Sequence, residues 1–227
     1  MRKAVVSFSG GMDSTTVLAR AIAEYGSPNV LAVSFKYGSK HNFYENQSSK
    51  WLTDFYNVAY DLIDLSAAMS GFSSNLLKSG GDIPEGHYED ESMSQTVVPG
   101  RNIIFAAMLA GYAWSKNAEA VYMGIHSGDH AIYADCRPEF YMHMRKAIEA
   151  GTDGKVSLRA PFLSLDKSGI LKEGFSLSVP YELTRTCYKE QAVSCGKCGS
   201  CQERLEAFAF HNTEDPLDYE SREILPK

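Results

Sequence analysis

The sequence has no apolar run long enough to span a membrane. Its longest, residues 103–114, is about a dozen residues, where a helix crossing a bilayer needs about 20. At the N-terminus only Ala4, Val5 and Val6 separate Arg2 and Lys3 from Ser7. That is too short for the apolar stretch of a secretory signal, so a cytoplasmic protein without membrane contact is expected. Excess positive charge is also lacking: 22 basic against 28 acidic side chains give a net charge of −6. This balance argues against a broad electrostatic footprint for nucleic acid. Cysteine is scarce, five in 227 residues, and four of the five fall between positions 187 and 201. Without an export signal, such crowding favours a metal over disulfides. There is no internal repeat and no low-complexity tract, and a chain that is 44% apolar and 22% charged has the means to bury a core.

The order of apolar patterns predicts an α/β fold. Residues 3–9 are a short β-branched run ending in Gly10-Gly11, and residues 14–25 carry Val17, Leu18, Ala21 and Ile22 at helical spacing. Strands are predicted at 30–37, 59–65, 120–125 and 156–159, and helices at 41–55, 102–115 and 138–150, the last with Pro138 in its first turn. Strands alternating with helices imply a Rossmann-like, doubly wound parallel sheet with helices on both faces. Residues 66–98, with Gly80-Gly81, Pro84 and an acidic stretch, are predicted to form a long mobile loop. Residues 1–165 are expected to form the nucleotide-binding α/β domain. Residues 166–227 are expected to form a small C-terminal helical segment holding the cysteines, with a helix from Asp166, another ending at His211, and a polar tail.

Ser9-Gly10-Gly11-Met12-Asp13-Ser14 stands between the first strand and the first helix. There, backbone N–H groups and the positive end of the helix dipole favour phosphate. Ser9 and Ser14 can add hydroxyl donors, and Asp13 can hold a Mg²⁺ that bridges phosphates or cap the helix. No Gly-Lys-Thr or Gly-Lys-Ser follows, so this is not a Walker loop. The segment resembles the PP-loop of ATP pyrophosphatases, which implies that ATP is held by its pyrophosphate end while AMP is transferred.

Cys187, Cys195, Cys198 and Cys201 have the spacing C-x7-C-x2-C-x2-C. Four thiolates suit a closed, structural Zn²⁺ site, with Gly196 and Gly199 allowing amides to turn toward sulfur. An iron–sulfur cluster and free thiols remain alternatives at this point. Thr186 and Tyr188 flank Cys187 as candidates for a pocket wall. Gly100, Arg101 and Asn102 sit at a loop-to-helix junction, where Asn102 can cap the helix and Arg101 can reach an anion. His126, Asp129, Asp135 and Arg137 follow a strand on the edge where α/β sheets bind ligands. His126, His130 and the two aspartates can ligate a metal or, as preferred, hydrogen-bond a polar heterocycle. Lys167, at a helix start, can contact phosphate or point to solvent.

Taken together, Phe8, Ser9, Gly10, Gly11, Met12, Asp13, Ser14, Thr15, Thr16, Val17 and Leu18, then Val98-Pro99-Gly100-Arg101-Asn102, residues 135–140, Thr186-Cys187-Tyr188 and the cysteine set resemble the 7-cyano-7-deazaguanine synthases over almost the whole chain. The sequence departs from their common pattern at Met12, at residues 126–133, at Ala134 and at Ser168-Gly169. The resemblance implies ATP- and Mg²⁺-dependent conversion of 7-carboxy-7-deazaguanine and ammonia to the nitrile, with no nucleic acid as partner. It implies Zn²⁺ on the four cysteines, ATP along residues 8–18, and a homodimer in many members. On this reading Arg101 and Lys167 stabilise negative charge, Asp13 holds Mg²⁺, and Asp129 or Asp135 reads the guanine-like edge or acts as base. Rival readings are a tRNA-modifying PP-loop enzyme with an iron–sulfur cluster and a non-catalytic nucleotide-binding protein.

Overall fold

The computed structural model describes residues 3–130 and 132–225, the side chains of residues 129 and 130 excepted. Strands β1 (Ala4–Ser7), β2 (Val30–Lys36), β3 (Ala59–Asp64), β4 (Ala120–Tyr122) and β5 (Ser157–Arg159) form one sheet in the order β3-β2-β1-β4-β5. Every pairing in it is parallel. Along β1 and β2 alternate residues face opposite sides. Val5, Leu31, Val33 and Phe35 join one apolar cluster, while Ala4, Val6, Val30 and Ala32 join another. Both faces are covered, which is why these strands read as continuous apolar runs.

The helices divide between the faces as a doubly wound sheet requires. Helices α1 (Met12–Tyr25) and α2 (Asn42–Tyr56) supply Val17, Leu18, Ala21 and Leu52 to one cluster. Helices α3 (Arg101–Ser115) and α4 (Pro138–Gly151) supply Phe105, Leu109, Ala113 and Ile148 to the other. The strand order reverses between β1 and β4, so a crevice opens beyond their carboxyl ends. No helix among the described residues is long and apolar enough to cross a membrane.

Two segments depart from expectation. The stretch at 66–98 is not a free loop: it buries Met69, Leu76, Leu77, Ile83, His87 and Met93 and contains a 3-10 turn at Glu91–Thr96. Ser39 bridges to Leu77 and Glu85 to Cys198. Its apolar residues are spaced too irregularly to suggest an element, yet they are numerous enough to pack. The polar tail is equally well seated. Helices α5 (Lys167–Ser176) and α6 (Gly199–Phe210) pack on α1 through Met12, Ala19, Leu171, Tyr181, Ala207 and Phe208. The chain after them returns so that Glu220 N donates to Ser194 O at 2.8 Å.

The tail is held by a buried ion pair. Arg204 and Asp215 are both shielded from water, with Nε 2.6 Å from Oδ2 and Nη2 2.8 Å from Oδ1. The guanidinium also donates to Thr184 Oγ1 at 2.6 Å, Thr186 Oγ1 at 3.1 Å and Tyr181 O at 3.1 Å. A buried bidentate pair contributes little net stability, but removing one partner strands the other charge. Asp215→Ala is therefore expected to destabilise the fold by about 3–5 kcal/mol, read as a lower urea midpoint at unchanged slope.

Candidate active site

The turn after β1 is shaped by its neighbours. Gly10 has φ +73°, and a Cβ there would lie 2.7 Å from Ser49 N and 2.9 Å from Glu45 O. Only glycine satisfies both the backbone and the space. No side chain caps α1, so its first-turn amides remain available to an anion. Asp13 thus lies within the first turn and does not cap the helix. Ser9 Oγ and Ser14 Oγ lie 3.2 Å apart, and Arg185 N donates to Gly10 O at 2.8 Å, tying the C-terminal segment to the turn.

The turn opens onto a cavity of about 210 Å³ at the carboxyl ends of β1, β2 and β4. On one wall Lys167 Nζ is 2.6 Å from Asp13 Oδ2, 3.0 Å from Glu203 Oε2 and 3.3 Å from His126 Nε2. The side chain is only 10% exposed, which excludes the solvent-facing reading. Burial pushes the Asp13 carboxyl up, but the Lys167 ammonium and His126 outweigh it and hold the group below its ordinary range. Asp13 Oδ1 is buried without a hydrogen-bond partner, an orphaned oxygen that fits a cation on this carboxylate.

The cavity lining also includes Tyr37, His41, Glu45, Arg101, Arg185 and Tyr188. His41 Nε2 and Glu45 Oε2 are 3.5 Å apart, four residues along the start of α2. Burial, followed by Arg101 and Arg185, pushes His41 down to about 3. Burial pushes Glu45 up to about 8 against the pull of the same arginines. Both groups are uncharged near neutral pH, and the arginines carry the charge of this part of the lining.

Among the residues expected at the site, Phe8, Ser9, Gly11, Met12, Asp13, Ser14, Arg101, Asn102, His126 and Lys167 line the cavity. Thr15, Thr16, Val17 and Leu18 do not line it. The two threonine hydroxyls bond back to Gly11 O and Met12 O, and Val17 and Leu18 are buried in the core, because α1 turns them toward the sheet. Gly10 shapes the turn from behind. Asn102 does not cap α3, whose N-cap is Gly100 at φ +65°. Instead Asn102 N donates to Asp135 Oδ2 at 2.9 Å, and its amide donates to Asp135 O at 3.1 Å. Asp135 therefore holds the helix start and does not line the cavity, and Arg137 is exposed outside it. The side chains of Asp129 and His130 lie outside the described residues.

Cys187, Cys195, Cys198 and Cys201 are buried and free, with all four sulfurs within 4.8 Å of one another. A tetrahedral thiolate site with metal–sulfur bonds of roughly 2.3 Å places its sulfurs about 3.8 Å apart, and Cys195 Sγ to Cys201 Sγ is 4.0 Å. Amides of Lys189 and Cys195 point at Cys187 Sγ, and those of Lys197 and Cys198 at Cys195 Sγ. These donors suit thiolates, so the set fits a metal ion. Gly196, at φ +72°, turns the chain so that the Lys197 and Cys198 amides reach sulfur, whereas Gly199 serves packing, since a Cβ there would sit 2.8 Å from Met93 Sδ.

Sequence reasoning missed Glu203, Glu45, His41 and Arg185. His41 and Glu45 stand at i and i+4, a spacing that shares one helix face. Arg185 adjoins the Thr186-Cys187-Tyr188 motif, and Glu203 stands two positions after a cysteine of the cluster. None of these signals marks a cavity by itself.

Comparison with known proteins agrees with this geometry. Residues 3–212 match the family described as queuosine biosynthesis protein QueC. A 7-cyano-7-deazaguanine synthase of Pseudoalteromonas atlantica is 48% identical over 97% of this chain and 100% of its own. 7-Cyano-7-deazaguanine synthase 1 of Colwellia psychrerythraea is 47% identical over 96% and 99%. Among solved structures the fold is similar to the U34-tRNA thiolase NcsA of Methanococcus maripaludis with its [4Fe-4S] cluster, at TM-score 0.51 and 15% identity over 93% of this chain and 65% of that one. It is also similar to the NMN synthetase of Francisella tularensis, at TM-score 0.50 and 14% identity over 94% and 78%. With a family match over nearly its whole length, the chain belongs to the QueC family of queuosine biosynthesis proteins.

Proposed function

We propose that this protein is an ATP-dependent ligase that converts 7-carboxy-7-deazaguanine and ammonia to 7-cyano-7-deazaguanine, as the names of its relatives indicate. The observation that carries the reading is the opening of an uncapped serine-glycine turn onto the cavity that holds Lys167, Asp13 and His126, in a chain of this family. A carboxylate does not acylate ammonia, because oxide is a poor leaving group. Transfer of AMP from ATP to a carboxylate oxygen releases pyrophosphate and makes AMP the leaving group. Ammonia then attacks the carbonyl carbon, AMP departs and the amide forms. A second ATP adenylates the amide oxygen, and loss of AMP and a proton leaves the nitrile.

In this reading the amides and hydroxyls of Ser9 to Ser14 hold the departing pyrophosphate. Lys167 and Arg101 stabilise negative charge at the transferring group, and His126 faces the polar edge of the heterocycle. Asp13, with its orphaned Oδ1, holds Mg²⁺, which when bound neutralises phosphate charge. The four cysteines hold Zn²⁺ in a closed, structural site. Sulfurs this close suit a single ion, whereas a four-iron cluster must spread its thiolates further apart. Residues 166–227 then serve as a metal-clamped module laid on the nucleotide-binding part, in a cytoplasmic enzyme whose substrates are all small molecules.

Incubation with 7-carboxy-7-deazaguanine, ATP, Mg²⁺ and ammonium is expected to yield AMP, pyrophosphate and a product about 19 mass units lighter than the acid. Release of ADP and phosphate in their place overturns the adenylation route. Metal analysis of the purified protein is expected to find zinc and no visible absorbance; iron with a brown colour overturns the zinc assignment. Because Glu45 ionises above about pH 8 and then offsets Arg101 and Arg185, the KM for the anionic acid is expected to rise there. Glu45→Gln is expected to keep that KM flat, and an equal alkaline rise in both proteins sinks the assignment.

A further inference from the structure

Beside the main cavity lies a second one of about 20 Å³, room for roughly one water-sized molecule. The two share Tyr188, Ser200 and Glu203. The remaining wall includes two more phenol rings, Tyr88 and Tyr133, with Met93 and Gly128. Tyr133 OH lies 2.7 Å from Thr96 Oγ1, which fixes its ring. Glu203 addresses both compartments. Its Oε2 is 3.0 Å from Lys167 Nζ at the main cavity, and its Oε1 is turned to Gly128, where a Cβ would lie 2.6 Å away.

Among the described residues, acidic groups outnumber basic ones around this alcove. Burial, and then Glu203, Glu89, Glu206 and Asp166, hold the Tyr88 phenol above its ordinary range. Lys167 lies beyond Glu203 and is balanced by Asp13. Three phenol side chains and a carboxylate around a one-molecule space suit a small cation with N–H donors, and Ser200 and the phenol oxygens can accept from it. A metal ion is a poorer match, since hard cations demand several oxygen ligands in regular geometry. An anion or a larger amine is excluded by charge and by size respectively.

We propose that this alcove is the waiting site of the nitrogen donor, bound as ammonium beside the place where the activated carboxyl group is made, and that the ammonium gives one proton to the Glu203 carboxylate before ammonia attacks. The inference rests on the ligase reading above and adds to it where the second substrate is held.

The test uses the full-length, metal-loaded protein with ammonium, ATP and the acid varied separately. Tyr88→Leu removes one ring, and the KM for ammonium is expected to rise about fivefold or more. The KM values for ATP and acid stay within about twofold. Exchange of pyrophosphate with ATP driven by the acid alone, which needs no ammonia, is expected to be unchanged. If the acid fails to drive that exchange in the unsubstituted protein, the ligase reading is what fails. A second arm needs no variant: methylamine, one carbon too large, is expected neither to react nor to compete with ammonium, whereas Met93→Ala admits it. Use of methylamine and ammonia equally by the unsubstituted protein overturns the proposal. So does a Tyr88→Leu protein with an unchanged ammonium KM, or one in which all three KM values rise together.

Discussion

A single buried ammonium group organises this molecule. Lys167 Nζ meets Asp13 from the start of α1, His126 from beyond β4 and Glu203 from α6. An ammonium taken out of water is costly unless opposite charge and acceptors surround it. The three segments that supply those partners must therefore arrive together, although Lys167 and Asp13 are 154 positions apart in sequence. The same group that binds these segments to one another presents positive charge to the cavity beneath the serine-glycine turn.

The cysteine cluster contributes by position and not by chemistry at the cavity. Its helix, α6, is capped by Cys198 and carries Ser200, Glu203 and Arg204 to the cavity wall. The long segment before α3 is fastened to the same cluster, with Gly86 N donating to Lys197 O at 3.0 Å and Glu85 bridging Cys198. Four thiolates leave no open coordination position, so a metal there acts as a clamp whose effect is felt through α6. Arg204, paired with Asp215, extends the same fastening to the segment that follows α6.

Much of the fold was legible because its signals are local. The apolar runs of β1 and β2 and the helical spacing of Val17, Leu18 and Ala21 are periodicities that a buried parallel sheet imposes. Resemblance carried too far along α1, however. Thr15 to Leu18 belong to the motif, but a helix that starts at the mouth of a cavity points its next residues into the core. Being acidic and near a ligand edge, Asp135 has the sequence signature of a recognition group. Its carboxylate instead accepts the Asn102 amide, a partner no sequence pattern could name.

The sequence alone determined the class of the fold, the turn that invites an anion and the four-thiolate set, since each depends on residues adjacent or closely spaced in the chain. Only the tertiary structure decided that Glu203, His41, Glu45 and Arg185 face the same space as that turn. It also decided that residues 66–98 and the tail are packed. Those outcomes depend on which distant segments meet, and burial then sets the charge: His41 and Glu45 lose theirs in the cavity wall, where desolvation outweighs what either residue does in water.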